Sequence, residues 1–186
     1  MFIIKNNYYL YIENTKVLNL NRIKRNKKIS IIYRNNGAKE NIEIIRKFKR
    51  QCTHKGFKFY VSNDLKLLKY CKADGLYVSS YNKKIYLEKN LKLIGSAHSF
   101  KEINEKLKQG CKDIFLSRLF KTSYKNKATF LGVVKFNLIA NKYNLKFIAL
   151  GGIKDSNLNK LNIVKTKGLA LLSEIKKKPA ISSRLF

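Results

Sequence analysis

The feature that most constrains this chain is an alternation. Short runs of branched and aromatic residues, each of strand length, return about eight times at intervals of roughly 20–25 residues, with helical or polar segments between them. The runs are Tyr8–Glu13, Ile29–Arg34, Phe57–Val61, Gly75–Ser79, Leu91–Ile94, Asp113–Leu116, Leu145–Leu150 and Gly168–Ser173. Strands joined by connections long enough to hold a helix pair in parallel, and helices then cover the sheet. Eight such units favour a closed (β/α)8 TIM barrel over an open doubly wound sheet. The chain has 186 residues, whereas roughly 250 are typical of that fold. The reading is therefore a single compact α/β barrel domain over residues 1–186, with shortened first and last helices.

The connections carry helix signals of uneven strength. Between Ala38 and Cys52 the apolar positions Ile42, Ile45, Phe48 and Cys52 recur at helical spacing. Ser62-Asn63-Asp64 closes one strand and opens a helix through Leu65, Leu68 and Cys71. Ser99 and Glu102 match a Ser-x-x-Glu capping box ahead of Ile103 and Leu107, and Leu131, Val134, Leu138 and Ile139 mark another helix. Asn14–Lys28 is polar and reads as a short helix, and the stretch after Ser79 is only weakly helical. Cys52, Cys71 and Cys111 are odd in number and lack C-x-x-C spacing. They read as reduced core thiols of a cytoplasmic protein. No apolar run reaches membrane-spanning length, and Met1–Lys5 is too short for a secretory signal.

The formal charge of +30 invites a nucleic-acid reading. Two observations count against it. Arg, which base and phosphate readers favour, is scarce, and the lysines run from end to end rather than clustering on one element. Richness in Lys, Asn, Ile and Tyr together points to an AT-biased genome acting on surface codons. The charge then describes a solvated basic surface that draws in anionic small molecules.

Chemistry concentrates at Leu145–Ile153, an apolar run that ends in Gly151-Gly152, followed by Lys154-Asp155-Ser156-Asn157. Asp155 or Ser156 is placed to cap a helix through Leu158, Leu161 and Val164. Paired glycines at a helix start expose backbone N–H groups and suit a phosphate, and in a β/α barrel the loops after the last two strands are the usual phosphate site. Strand ends in such a barrel form the active face. They collect Arg34, Asn63, Asp64, Ser79, Ser80, Ser96, His98, Arg118, Thr122, Lys125, Gly151, Gly152 and Ser173. Cations, hydroxyls and one carboxylate suit phosphorylated small molecules and one Mg²⁺, which takes few protein carboxylates when phosphates complete its shell. The set lacks the paired carboxylates of a glycosidase and a nucleophile–base pair for acyl transfer. His54 and His98, the two histidines, leave no room for a multi-histidine metal site.

Five segments in order, Gly95–Ser99, Asp113–Lys125, Leu131-Gly132, Ile148–Ile153 and Gly168–Ser173, carry a resemblance over about Tyr8 to Ile175. The chain resembles the thiamine-phosphate synthase family, which includes a thiazole tautomerase group. The resemblance implies a Mg²⁺-dependent condensation of a pyrimidine-methyl pyrophosphate with a thiazole phosphate, giving thiamine phosphate and pyrophosphate. It implies that Arg34, Asn63, Ser96 and Lys125 hold the pyrophosphate and Asp64 its Mg²⁺. Thr122, Gly152, Leu172 and Ser173 would hold the thiazole phosphate, with Gly151 shaping the same turn. His98 lies where the tautomerase group places a proton-transferring histidine, so the implied catalytic set is Arg34, Ser96, Lys125 and His98. The departures fall mostly on the pyrimidine half. The family's Gln-x-Arg-x-Lys is met by Ile32-Tyr33-Arg34-Asn35-Asn36, a second magnesium carboxylate by Asn82, and the second threonine of Thr-x-Thr-Lys by Tyr124. The alternatives are a tautomerase-like enzyme, a degenerate member that binds thiazole phosphate, and a basic nucleic-acid-binding protein.

Overall fold

The computed structural model describes residues 7–35, 40–122 and 129–171. Eight parallel strands close in sequential order into one barrel. They are β1 Asn7–Ile12, β2 Ile29–Tyr33, β3 Lys58–Ser62, β4 Gly75–Val78, β5 Leu93–Ala97, β6 Asp113–Ser117, β7 Lys146–Leu150 and β8 Gly168–Leu171. Closure comes from β8 pairing back onto β1, with Asn7 opposite Gly168 and Leu10 opposite Leu171. The barrel therefore has no open edge. The eightfold alternation in the sequence was a sufficient guide to this architecture.

Successive side chains of a strand point to opposite faces, and the two faces form separate cores. Leu10, Ile31, Phe59, Leu76, Ile114 and Phe147 belong to the larger one, between sheet and helices. Tyr9, Tyr11, Ile32, Tyr60, Tyr77, Ile94, Phe115, Ile148 and Ala170 fill the barrel interior. Aromatic rings replace much of the branched aliphatic filling usual in such barrels. Tyr11 meets Tyr77 and Phe115 edge-on, at centroid distances of 5.5 and 5.6 Å. Small residues make room for them: a Cβ on Gly75 would lie 2.8 Å from the Tyr60 ring. Burial pushes the phenols of Tyr9, Tyr11 and Tyr60 above their ordinary pKa, so these rings stay neutral at physiological pH.

Four connections hold α-helices: α1 Ile42–His54, α2 Leu65–Cys71, α3 Phe100–Lys108 and α4 Gly132–Lys142. The others are trimmed. Between β1 and β2 the expected short helix is two three-residue 3-10 turns, Thr15–Val17 and Leu20–Arg22. Residues 79–92, between β4 and β5, contain no helix. The segment between β7 and β8, Asp155–Ile163, is 3-10 rather than α. A last helix, after β8, would lie outside the described residues.

Helix faces differ from the apolar spacing on three helices. On α1, Ile45, Phe48 and Cys52 are buried but Ile42 is exposed; on α4, Phe136 and Ile139 are buried while Val134 and Leu138 face outward. On α3 the buried pair is Ile103 and Lys106, and Leu107 is exposed. Residues three and four positions on are equally good neighbours on an isolated helix. The sheet it lies on decides between them. All three cysteines are free and buried, as their spacing implied. No helix among the described residues is long and apolar enough to cross a membrane.

Candidate active site

The C-terminal strand ends carry three groups of polar residues. The first spans β2 to β4. The Arg34 N–H donates to Ile12 O (2.8 Å), which fixes the rim where β2 ends. The Arg34 side chain then lines a cavity of about 970 Å³ together with Ser62, Asn63 and Asp64. The opposite wall comes from residues 79–92, through Tyr81, Ile85, Tyr86, Leu87 and Glu88. One wall is thus cationic and polar, while the other mixes the apolar Ile85 and Leu87 and two tyrosines with the charged Lys84 and Glu88.

Asn63 organises this group. It has φ +57°, a left-handed conformation that Asn tolerates better than most residues. Its Nδ2 donates to Ser79 Oγ (2.7 Å) and Tyr81 Oη (3.2 Å). Its Oδ1 accepts from the Ser79 N–H (3.0 Å) and Asn82 Nδ2 (2.9 Å). Both donor hydrogens and both acceptor positions of the amide are therefore in use. The longest bond goes to Tyr81, which is 69 % exposed, so Tyr81 is the partner that an incoming anion would displace. Asp64 caps α2, its Oδ1 accepting from the Leu67 N–H at 2.9 Å. No described residue bonds to its second oxygen.

The second group lies on β5 and β6. Ser96 is buried, and two residues further the exposed His98 sits with Nδ1 2.7 Å from Ser117 Oγ. The His98 N–H donates to Glu102 Oε2 (2.6 Å), while Ser99 Oγ accepts from the Glu102 N–H (3.3 Å). The expected capping box is thus shifted by one residue, with Glu102 reaching back to His98. The hydroxyl–imidazole pair was invisible in the sequence because its members, one just past the end of β5 and the other at the end of β6, are 19 residues apart.

The third group joins β6 to β7. Gly151 and Gly152 have φ +96° and +69°. The Leu119 N–H donates to Leu150 O (2.9 Å) and the Phe120 N–H to Gly151 O (3.1 Å), so the two loops run against each other. A Cβ on Gly152 would lie 2.4 Å from Phe120 O and 2.6 Å from Lys121 O. Only glycine meets both the left-handed turn and that approach. Among the described residues nothing accepts from the N–H groups of Gly152 and Ile153. The Thr122 hydroxyl, one residue beyond that approach, is buried and has no hydrogen-bond partner among the described residues. Asn157 closes the start of this segment, its side chain accepting from the Lys154 N–H (2.9 Å) and donating to Gly152 O (2.7 Å); the side chain of Asp155, one of the two expected caps, lies outside the described residues. This turn of backbone, rather than an α-helix dipole, presents the free donors.

A family model described as thiamine monophosphate synthase (TMP-TENI) matches residues 7–175. The chain belongs to that family. Among its relatives, a thiamine-phosphate synthase of Prochlorococcus marinus (strain SARG) is 34% identical over 108 residues, covering 55% of this chain and 31% of the relative. The thiamine-phosphate synthase of Clostridium perfringens (strain 13 / Type A) is 24% identical over 147 residues, covering 76% and 71%. The matched part is thus about a third of the Prochlorococcus protein and most of the clostridial one. Among solved structures, thiamine phosphate pyrophosphorylase from Pyrococcus furiosus superposes with a TM-score of 0.76 at 17% identity, over 97% of this chain and 92% of that one. A 3-hexulose-6-phosphate synthase gives 0.68 at 12% identity, over 98% of each. These two likenesses concern the barrel. Membership in the thiamine monophosphate synthase family does not favour the nucleic-acid reading of the charge.

Of the residues singled out in the sequence, Arg34, Asn63 and Asp64 share one cavity; Ser96 and His98 form the next group and Thr122, Gly151 and Gly152 the third. Lys125, Leu172 and Ser173 lie outside the described residues, as do Asn36 and Tyr124. Ile32, at the family's glutamine position, is buried in the barrel interior opposite Tyr11. Asn82 hydrogen-bonds Asn63 and Tyr86. Among the described residues no group of three His, Cys, Asp or Glu side chains is arranged around one metal ion. A Mg²⁺ shared with substrate phosphates needs only one or two carboxylates. Asp64, with one oxygen uncommitted, fits that demand. Glu88 lines the same cavity, paired with Lys69 at 3.3 Å. No motif marked Glu88, because it sits in a segment without regular structure.

Proposed function

We propose that this chain is a thiamine-phosphate synthase, joining a pyrimidine-methyl pyrophosphate to a thiazole phosphate with release of pyrophosphate. The observation that carries the reading is the pairing of two anion-binding features on one barrel rim. The Arg34–Asn63–Asp64 cavity is one, and the Gly151-Gly152 turn with the unpartnered Thr122 hydroxyl is the other. An unpaired buried hydroxyl costs free energy that a bound phosphate would recover.

The pyrophosphate lies against Arg34, with Asn63 exchanging its Tyr81 bond for a phosphate oxygen and Ser96 adding a hydroxyl; the family resemblance assigns it Lys125 as well. The C–O bond to the pyrimidine methylene breaks, and the electron pair leaves with the pyrophosphate. Arg34 stabilises the charge that develops there, which is where a fixed cation accelerates the step. A Mg²⁺ held by Asp64 would neutralise further charge on the leaving group. Thr122 and the Gly152 N–H hold the thiazole phosphate, to which the family resemblance adds Leu172 and Ser173, so that the thiazole nitrogen faces the methylene carbon and forms the new C–N bond. Tyr81, Ile85 and Leu87 cover the pyrimidine from the opposite wall and exclude water from the cation.

The test is direct. The full chain is mixed with both substrates and Mg²⁺, and thiamine phosphate is followed by its oxidation to a fluorescent product. Turnover that stops when Mg²⁺ is chelated supports the synthase; no turnover, with thiazole phosphate still raising Tm, removes it. A second reading, thiazole tautomerisation, draws on the Ser117–His98 pair, where an exposed imidazole with an oriented ring is suited to proton transfer.

A further inference from the structure

Helix α3 buries Lys106 in place of the neighbouring Leu107 that the apolar spacing selected. Lys106 is 0 % exposed, and no carboxylate among the described residues forms an ion pair with it. Its stem packs over β5, where a Cβ on Gly95 would lie 2.9 Å from Lys106 Cγ. Gly95 thus makes room for the stem. A methionine would fill the same space without the desolvation cost of a buried ammonium. The volume alone does not explain the charge.

The charged end explains it. Lys106 Nζ donates to Asn82 O (2.6 Å) and to Gln109 Oε1 (2.7 Å). Gln109 Nε2 donates to Asn82 O (3.0 Å) and Lys84 O (2.7 Å). Residues 79–92 have no helix to pair their own carbonyls, and buried carbonyls need donors. Lys106 and Gln109 supply them from below. The connection continues upward, because the Asn82 side chain reaches Asn63 Oδ1 and Tyr86 Oη, both at 2.9 Å. Burial pulls the Lys106 pKa below its ordinary value, against weaker opposing effects of Cys111, Glu105 and Glu102.

We propose that Lys106 and Gln109 are positioning residues: they hold residues 79–92 as the second wall of the Arg34–Asn63–Asp64 cavity and thereby set its affinity for a diphosphate group. The catalytic part of this proposal rests on the synthase reading; the structural part does not. Two measurements on the full chain separate them. Hydrogen exchange of residues 79–92 reads the wall without any ligand, and calorimetry with inorganic pyrophosphate and Mg²⁺ reads the affinity.

In K106M, exchange in that segment quickens and pyrophosphate binding weakens by about tenfold, since small displacements of a binding wall carry large penalties. Thiazole phosphate, bound on the far side of the rim, keeps its affinity and reports that the barrel is folded. K106R, which retains charge and donors, recovers most of the pyrophosphate affinity, and Q109L shows a smaller loss than K106M. Unchanged exchange in K106M, or unchanged pyrophosphate affinity, overturns the proposal. So does a K106R protein no better than K106M, because packing alone would then account for the residue. If the wild-type protein binds no pyrophosphate, the synthase reading falls and takes the catalytic consequence with it, while the exchange data still decide whether the clamp exists.

Discussion

The two sides of the barrel rim proposed to hold anions are built in opposite ways. On the β2–β4 side much of the polar surface is committed before any ligand arrives: the Asn63 amide has four partners and one Asp64 oxygen caps α2. On the β6–β7 side the donors stand open, as backbone N–H groups of a glycine turn and a buried hydroxyl with no partner. The first side is held together by long-range side-chain contacts, so a ligand there must displace something. The second depends on local backbone shape, and a ligand there completes what is missing. Substitutions on the glycine side should therefore trade binding against backbone strain, and those on the other side should separate binding from stability.

The largest effect is expected at Gly152. Gly152→Ala requires a left-handed alanine, which alone costs about 1–2 kcal/mol, and it forces the Phe120 and Lys121 carbonyls away. Tm falls and thiazole phosphate no longer raises it; an unchanged Tm would break the comparison at its root. Arg34→Ala comes next, with kcat/KM falling about 10²–10³-fold and Tm unchanged. An equal loss of stability would show that Arg34 braces the rim rather than binding a ligand.

Asp64 sharpens the contrast through a pair of variants. Asp64→Asn keeps an oxygen for the Leu67 N–H, so stability holds while the Mg²⁺ concentration needed for half-maximal activity rises at least about tenfold. Asp64→Ala also loses the cap, at a cost of about 1 kcal/mol measured by denaturant unfolding. Thr122→Val removes the unpaired hydroxyl. It leaves the unliganded protein as stable or more so, and weakens thiazole phosphate by about tenfold in a calorimetric titration. The smallest effect is expected at His98, where His98→Asn leaves condensation intact. Loss of condensation there would move the Ser117–His98 pair into the synthase mechanism.

The glycine side was the more legible of the two in the sequence. Gly151-Gly152 after an apolar run is a local signal, and Thr122 lies in a segment that resembles the family. Arg34, Asn63 and Asp64 were also identified from strand ends, and Ser79 and Asn82 were singled out separately, but that these two and Tyr81 bond to Asn63 was not legible, because they reach it from the end of the next strand and the segment beyond it. Glu88 and Lys106 carried no signal at all. A buried lysine in a helix rich in Lys looks like any surface residue until the sheet beneath it is known. Leu107 was the natural choice for the core on hydrophobicity, yet the side of α3 that meets β5 carries Lys106.

The sequence by itself determined the strands, their number and the closed barrel, because short branched and aromatic runs and the steady interval between them are local properties. It also placed the candidate ligand-holding residues at strand ends, since the end of a strand is read from its own neighbours. Tertiary structure alone decided which helix face is buried, which serine meets His98 and which loop forms the second cavity wall. Those outcomes depend on strand register and on how helices settle over the barrel, where residues far apart in the chain compete for the same few ångströms.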